Sequence, residues 1–254
     1  MTKTDLQKLT TYCDSLLETA SIDDYKGAVN GLQAANSSHS VTRIAACVDA
    51  SLATAKKAID AGADLLLVHH GLFWSPLQPL TGKKFELVQA LLANNLAVYS
   101  AHLPLDVHPQ LGNNALFGQS LNLGKMKPFF HVKGNALGLQ AVKSVKRSIL
   151  KERISKSVGH IPLLIPGGPE TCRRIGVVTG GAGSELAKAA AEGVDTFITG
   201  EGPHWTYALA EELGVNVFYA GHYATETFGV KALAKHLAER FKLEWTFIDH
   251  PTGL

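Results

Sequence analysis

The chain has 254 residues, 46% hydrophobic and 18% charged, and its 24 Lys and Arg against 22 Asp and Glu leave a formal charge of +2. That length supplies one large domain or two lobes, and the near-neutral balance argues against a nucleic-acid partner, as the lack of any apolar run near the roughly 18 residues of a membrane helix argues against a membrane one. Cys13, Cys47 and Cys172 lie far apart without a CxxC pair and the N-terminus carries no secretory pattern, so the expectation is a cytoplasmic protein without disulfides or a thiolate zinc site.

Taken in chain order, strand-like and helix-like stretches alternate. "RIAACVDA" (43–50) predicts a strand, "SLATAKKAIDAGA" (51–63) a helix, "DLLLVHH" (64–70) a strand, "KKFELVQALLANN" (83–95) a helix and "LAVYSAH" (96–102) a strand. The alternation resumes with "RRIGVVTGG", "SELAKAAAEG", "DTFITGE", "YALAEELG", "VNVFYAGH" and the helix "TFGVKALAKHLAERF". Such a pattern predicts an α/β fold with largely parallel strands. Between the two series, the basic run "KSVKRSILKERISK" (143–156) reads as the solvated face of a helix. The expected organisation is a first α/β lobe over 1–125, a connecting segment over 126–168 and a second α/β lobe over 169–254.

The two series repeat each other. Arg43, Gly62, Asp64, Gly71 and Trp74 fall on Arg174, Gly193, Asp195, Gly202 and Trp205, each at an offset of 131. A further match at an offset of 120 lays "AVYSAHLPLD" over "VFYAGHYATE", pairing His102 with His222 and Asp106 with Glu226. The repeat predicts two similar lobes related by a pseudo-twofold, their strand ends facing one cleft.

In parallel sheets, functional groups gather at the carboxyl ends of the strands. The groups there are His69 and His70, His102 with Asp106, Glu201, and His222 with Glu226. Imidazoles and carboxylates in one cleft suit divalent zinc, iron or manganese. Two adjacent histidines on an extended chain point in opposite directions, so they serve two neighbouring ions better than one. Pro104 within "HLPLD" argues for a loop there, and Thr225 for the N-cap of the last helix. The turn at Gly180, Gly181, Gly183 and Ser184 is read first as a tight strand-to-helix turn and second as a cradle for an anionic substrate group. His108 is a candidate support beside Asp106, whereas His39, His131, His160, His204, His236 and His250 read as ordinary core or surface residues.

With these residues assembled, the chain resembles the GTP cyclohydrolase 1 type 2 homologues, the NGG-interacting-factor-like dinuclear-metal proteins. The resemblance rests on "NGLQ" (30–33), "VHHGLFW" (68–74), "HLPLDVHPQLGNNALFG" (102–118), "TGGAGS" (179–184) and "GHYATE" (221–226), and the chain matches the short form without a central insertion. It implies two α/β lobes, a toroidal homohexamer and two divalent cations per chain. The implied ligands are His69, His70, Asp106, His222 and Glu226, with Glu226 bridging, His70 and Asp106 on one ion, and His69 and His222 on the other. His102 and Glu201 would then serve proton transfer or support the ligands. The implied activity is metal-dependent hydrolysis of a nucleotide-like or phosphorylated small molecule. The competing expectations are a non-catalytic, metal-handling hexameric scaffold and, weakly, a ring around DNA.

Overall fold

A computed structural model describes residues 2–74, 78–132 and 135–254, divided into two units: Met1–Leu105 with Gly229–His250, and Asp106–Phe228 with Pro251–Leu254. The division differs from the expected lobes. It falls at Leu105, and 126–168 forms strands and a helix of the second unit rather than a connector.

The first unit runs β1 (Thr4–Asp5), α1 (Leu6–Leu17), β2 (Gly31–Ala34), β3 (Ser40–Val41), β4 (Arg43–Asp49), α2 (Leu52–Asp60), β5 (Leu65–His70), α3 (Gly82–Ala93) and β6 (Ala97–Ser100). The one-turn α4 (Leu103–Asp106) leads into the second unit. That unit holds α5 (Asn113–Ser120), β7 (Met126–Val132), β8 (Asn135–Lys146), α6 (Arg147–Val158), β9 (Leu163–Pro166), β10 (Thr171–Val177), a 3-10 turn (Ala182–Glu185), α7 (Leu186–Ala191), β11 (Thr196–Thr199), α8 (Thr206–Leu213) and β12 (Asn216–Tyr219). The last helix, α9 (His222–Phe241), begins in the second unit, and β13 (Glu244–Phe247) ends the first.

Each unit is built on an open sheet. The first has the order β13-β4-β5-β6-β2, with β13, β4, β5 and β6 parallel and β2 antiparallel to β6. The second has the order β7-β8-β10-β11-β12-β9, in which β10, β11 and β12 are parallel and their neighbours antiparallel. Strands buried on both faces read as continuous apolar runs, and Leu65–Val68 of β5 are wholly buried. The basic run divides differently from its expectation: its first four residues finish β8, and α6 starts at Arg147.

The registers allow the repeat to be compared strand by strand. Ile44 pairs with Leu65 and Ile175 with Thr196, the same offset of 131. Asp64 N–H donates to the Arg43 carbonyl and Asp195 N–H to the Arg174 carbonyl, both at 3.0 Å. Asp64 also caps the amides of Thr42 and Arg43, as Asp195 caps those of Arg173 and Arg174. The next strand is displaced by one residue from the sequence alignment. Ala101 N–H donates to the Val68 carbonyl and Ala220 N–H to the Thr199 carbonyl, an offset of 119 (220 − 101) rather than 120. His102 therefore corresponds to Gly221, and His222 lies one residue further on.

Candidate metal centre

In the first unit, β5 ends on the histidine pair. His69 is fully buried and its Nδ1 lies 2.8 Å from the Ala101 carbonyl oxygen; His70 Nδ1 lies 2.8 Å from Asp49 Oδ1. Asp49 reaches His70 because the β4–β5 register sets the two side by side. His102, at the exit of β6, places Nδ1 2.8 Å from Asp24 Oδ1, and Asn30 Oδ1 accepts its backbone N–H at 2.7 Å. The three imidazoles gather, with one ring nitrogen from each of His69, His70 and His102 within 4.8 Å of the others. His102, expected apart from the ligands, joins the pair.

Gly71 follows the pair for a local reason. A Cβ there would collide with the Gln33 amide, which accepts from Leu72 N–H and donates to the Ala28 and Val29 carbonyls. The "NGLQ" and "VHHG" segments thus depend on each other.

In the second unit, Asp106 is buried and its Oδ1 accepts from Asn113 Nδ2 at 2.8 Å. Asn114 donates to the Asp106 carbonyl and accepts from Thr179 N–H, so both asparagines of "GNN" act as braces. Pro104 does not prevent a helix: it occupies the first turn of α4, where backbone N–H groups have no intrahelical partner to lose. Thr225 is likewise not an N-cap, because α9 already starts at His222. Its hydroxyl accepts from Gly180 N–H and donates to the His222 carbonyl.

One turn of α9 sets His222 beside Glu226, with Nε2 3.1 Å from the buried Oε1, while His222 Nδ1 faces Glu201 Oε1 at 2.7 Å. Burial opposes a charged imidazole, but the carboxylates of Glu226 and Glu201 outweigh it and raise the His222 pKa to about 9. Gly180 (φ +72°) lies over the acid so closely that a Cβ would collide with Glu226 Oε1. The turn is less suited to an anion than expected, since the amides of Gly180, Ala182 and Gly183 donate to Thr225, Thr199 and Glu201. His108 turns inward on its own loop, accepting the amides of Gln110 and Leu111.

One chemical pattern covers all four imidazoles. A carbonyl or carboxylate oxygen accepts only, so Nδ1 carries the hydrogen in His69, His70, His102 and His222. In the neutral rings of His69, His70 and His102 the lone pair is then on Nε2, the tautomer that binds a metal, with its orientation fixed from behind; His222, with a carboxylate at each nitrogen, must first give up the Nε2 proton. In the second unit buried Asp106 and Glu226 add hard oxygen donors beside His222, and imidazole and carboxylate are both donor types that divalent cations accept. Asp24 and Asp49 were absent from the sequence reading as histidine partners. Asp49 was legible from strand pairing, whereas Asp24 lies 78 residues from His102 and left no signal.

An α/β protein with imidazole–carboxylate pairs at its strand ends is the class this geometry defines. The chain belongs to the Duf34/NIF3 (NGG1p interacting factor 3) family, whose model matches residues 4–253. It is 42% identical over 229 residues to a protein of Deinococcus radiodurans named GTP cyclohydrolase 1 type 2 homolog, covering 89% of this chain and 87% of that one. A Halobacterium salinarum protein of the same name is 43% identical over 241 residues, 92% and 94% of the two chains. The crystal structure of a Thermus thermophilus protein superposes with a TM-score of 0.90 at 36% identity, covering 99% of this chain and 100% of that one.

Proposed function

We propose that the chain is a divalent-metal-dependent hydrolase with a dinuclear centre. The proposed ligands are His69, His70, Asp106, His222 and Glu226, with Glu226 bridging. Support comes foremost from the four imidazoles whose Nδ1 atoms face protein oxygens, an arrangement that serves metal ligation and has no obvious use in packing alone. Two bound cations would lower the pKa of a water between them and supply hydroxide near neutral pH.

The remaining roles fall to the chain's own groups. His102, held at Nδ1 by Asp24, carries a proton to or from the reacting group at Nε2. Glu201 orients His222 and stabilises its charge before the ligand proton is lost. Asn113 holds the Asp106 carboxylate and Asn114 holds its backbone carbonyl. The substrate is a small molecule with a hydrolysable bond, and a nucleotide-like or phosphorylated compound is the first class to test. Assembly as a homohexamer in the cytoplasm completes the proposal.

Elemental mass spectrometry on wild type and Glu226→Ala tests the reading. About two divalent ions per wild-type chain, lost in the variant, together with metal-dependent turnover of a nucleotide or phosphoester, support it. Two ions that a chelator removes quickly, without turnover, favour the metal-handling scaffold instead. Less than one ion, not restored by added metal, rejects both.

A further inference from the structure

We infer that Tyr25 and Trp74 form a stacking wall for a planar, uncharged heteroaromatic ring held beside the three-histidine cluster, which names the ligand class within the function proposed above. Both side chains are left open to water, Tyr25 at 67% and Trp74 at 41% relative exposure. Their rings meet at 71° with centroids 5.9 Å apart, so they form a corner rather than a stack. Trp74 lies 4.5 Å from the His102 ring and 5.2 Å from that of His70. A flat guest lying on one wall of such a corner meets the edge of the other, the two arrangements aromatic rings prefer.

The backbone beneath the corner is fixed at many points. Asp24, which holds His102, also accepts Tyr25 N–H at 2.7 Å and Leu103 N–H at 3.0 Å. Gly27 lies so near the other side of the corner that a Cβ would come within 3.0 Å of the Phe73 carbonyl and 3.2 Å of the Trp74 carbonyl. Gln33 joins the Ala28 and Val29 carbonyls to Leu72 N–H. Val29 has φ +41°, a rare conformation for a β-branched residue that persists only where the surroundings enforce it. A large aromatic pair held this firmly and still facing water is an uncommon use of apolar surface unless something covers it.

The chemistry of the neighbours narrows the guest. A divalent cation held at the neighbouring imidazoles would repel a cationic ring, which disfavours the ammonium ligands that aromatic walls otherwise attract. A neutral base-like heterocycle matches the wall in size and gains from stacking on it whatever its substituents.

The test uses full-length protein carrying Trp205→Phe and Trp245→Phe, which leaves Trp74 the sole tryptophan of the three. Adenosine and guanosine are titrated separately while Trp74 emission is followed, with ribose as the ring-free control and metal content measured on the same samples. Saturable quenching by the nucleosides and none by ribose is expected. Tyr25→Ala should weaken nucleoside binding about tenfold and Tyr25→Phe no more than about threefold, in line with stacking on an aromatic face. Quenching by neither nucleoside, or quenching that Tyr25→Ala leaves unchanged, overturns the inference. Normal metal content without nucleoside binding rejects the stacking wall alone; nucleoside binding without metal rejects the dinuclear centre alone.

Discussion

An imidazole competes for a cation against its own proton, so the partners that would make His222 a good ligand also delay its availability. With its pKa raised to about 9, His222 is protonated at pH 7 in metal-free protein, and a cation must displace that proton. Apparent affinity should therefore rise by about tenfold per pH unit from this residue between pH 7 and 9, and level off above. Glu201→Gln weakens the hold on the proton, so its rise should level off at a lower pH. Its plateau affinity should fall about 10- to 100-fold, as for lost outer partners of metal ligands. Isothermal titration of chelator-stripped protein at several pH values checks both; a flat profile in wild type would contradict the assignment. At this scale the sequence was informative about the donors and silent about what fixes them. His69, His70, His102, Asp106, Glu201, His222 and Glu226 stood out by residue type and strand-end position, and the narrower set of five came from the family resemblance, whereas Asp24 and Asn113 act through contacts that only folding creates.

Between elements, the most repeated device is an acid at the start of a parallel strand. Asp64 receives the amides of Thr42 and Arg43 and the Thr42 hydroxyl, and Asp195 receives the amides of Arg173 and Arg174. Without the acid those amides lose their acceptor in part-buried surroundings. Asp64→Ala should cost about 2–3 kcal/mol and lower Tm by roughly 5–10 °C for a chain of this size. Asp195→Ala, at a more exposed site, should cost about half as much. Differential scanning calorimetry decides, and an unchanged Tm for Asp64→Ala would show that water replaces the cap. The central strands were legible because burial on both faces gives each an apolar run, Ile44–Val48 in β4, Leu65–Val68 in β5, Phe197–Ile198 in β11 and Val217–Phe218 in β12. β8 was not, since its buried residues Gly138, Ala141 and Val145 recur at intervals of three and four rather than two, a spacing that resembles a helix. The one-residue displacement between β6 and β12 was also hidden, because matching histidines is a weaker constraint than matching hydrogen bonds.

Across the whole molecule, all three cysteines are buried and unpaired in disulfides. Burial pushes the Cys47 thiol up to about 12 and raises those of Cys13 and Cys172 as well. The thiolate is the reactive form, so native protein at about pH 8 should show almost no reaction with a disulfide reagent over minutes. All three thiols should react once denaturant opens the chain; rapid reaction of native protein would mean that the core opens locally. The division into units was the least legible property of the sequence, because it follows strand pairing rather than composition. β13, only four residues long, returns from the end of the chain to pair with β4. That pairing governs the order in which the protein can be completed during synthesis. From Asp49 to Glu244 is 195 residues (244 − 49), which a ribosome takes about 10–40 s to add. Throughout that interval the apolar strand β4 has no neighbour on its outer side, an exposed edge of the kind that recruits other chains. A nascent chain of this protein thus depends for tens of seconds on whatever shields that edge, until β13 takes its place.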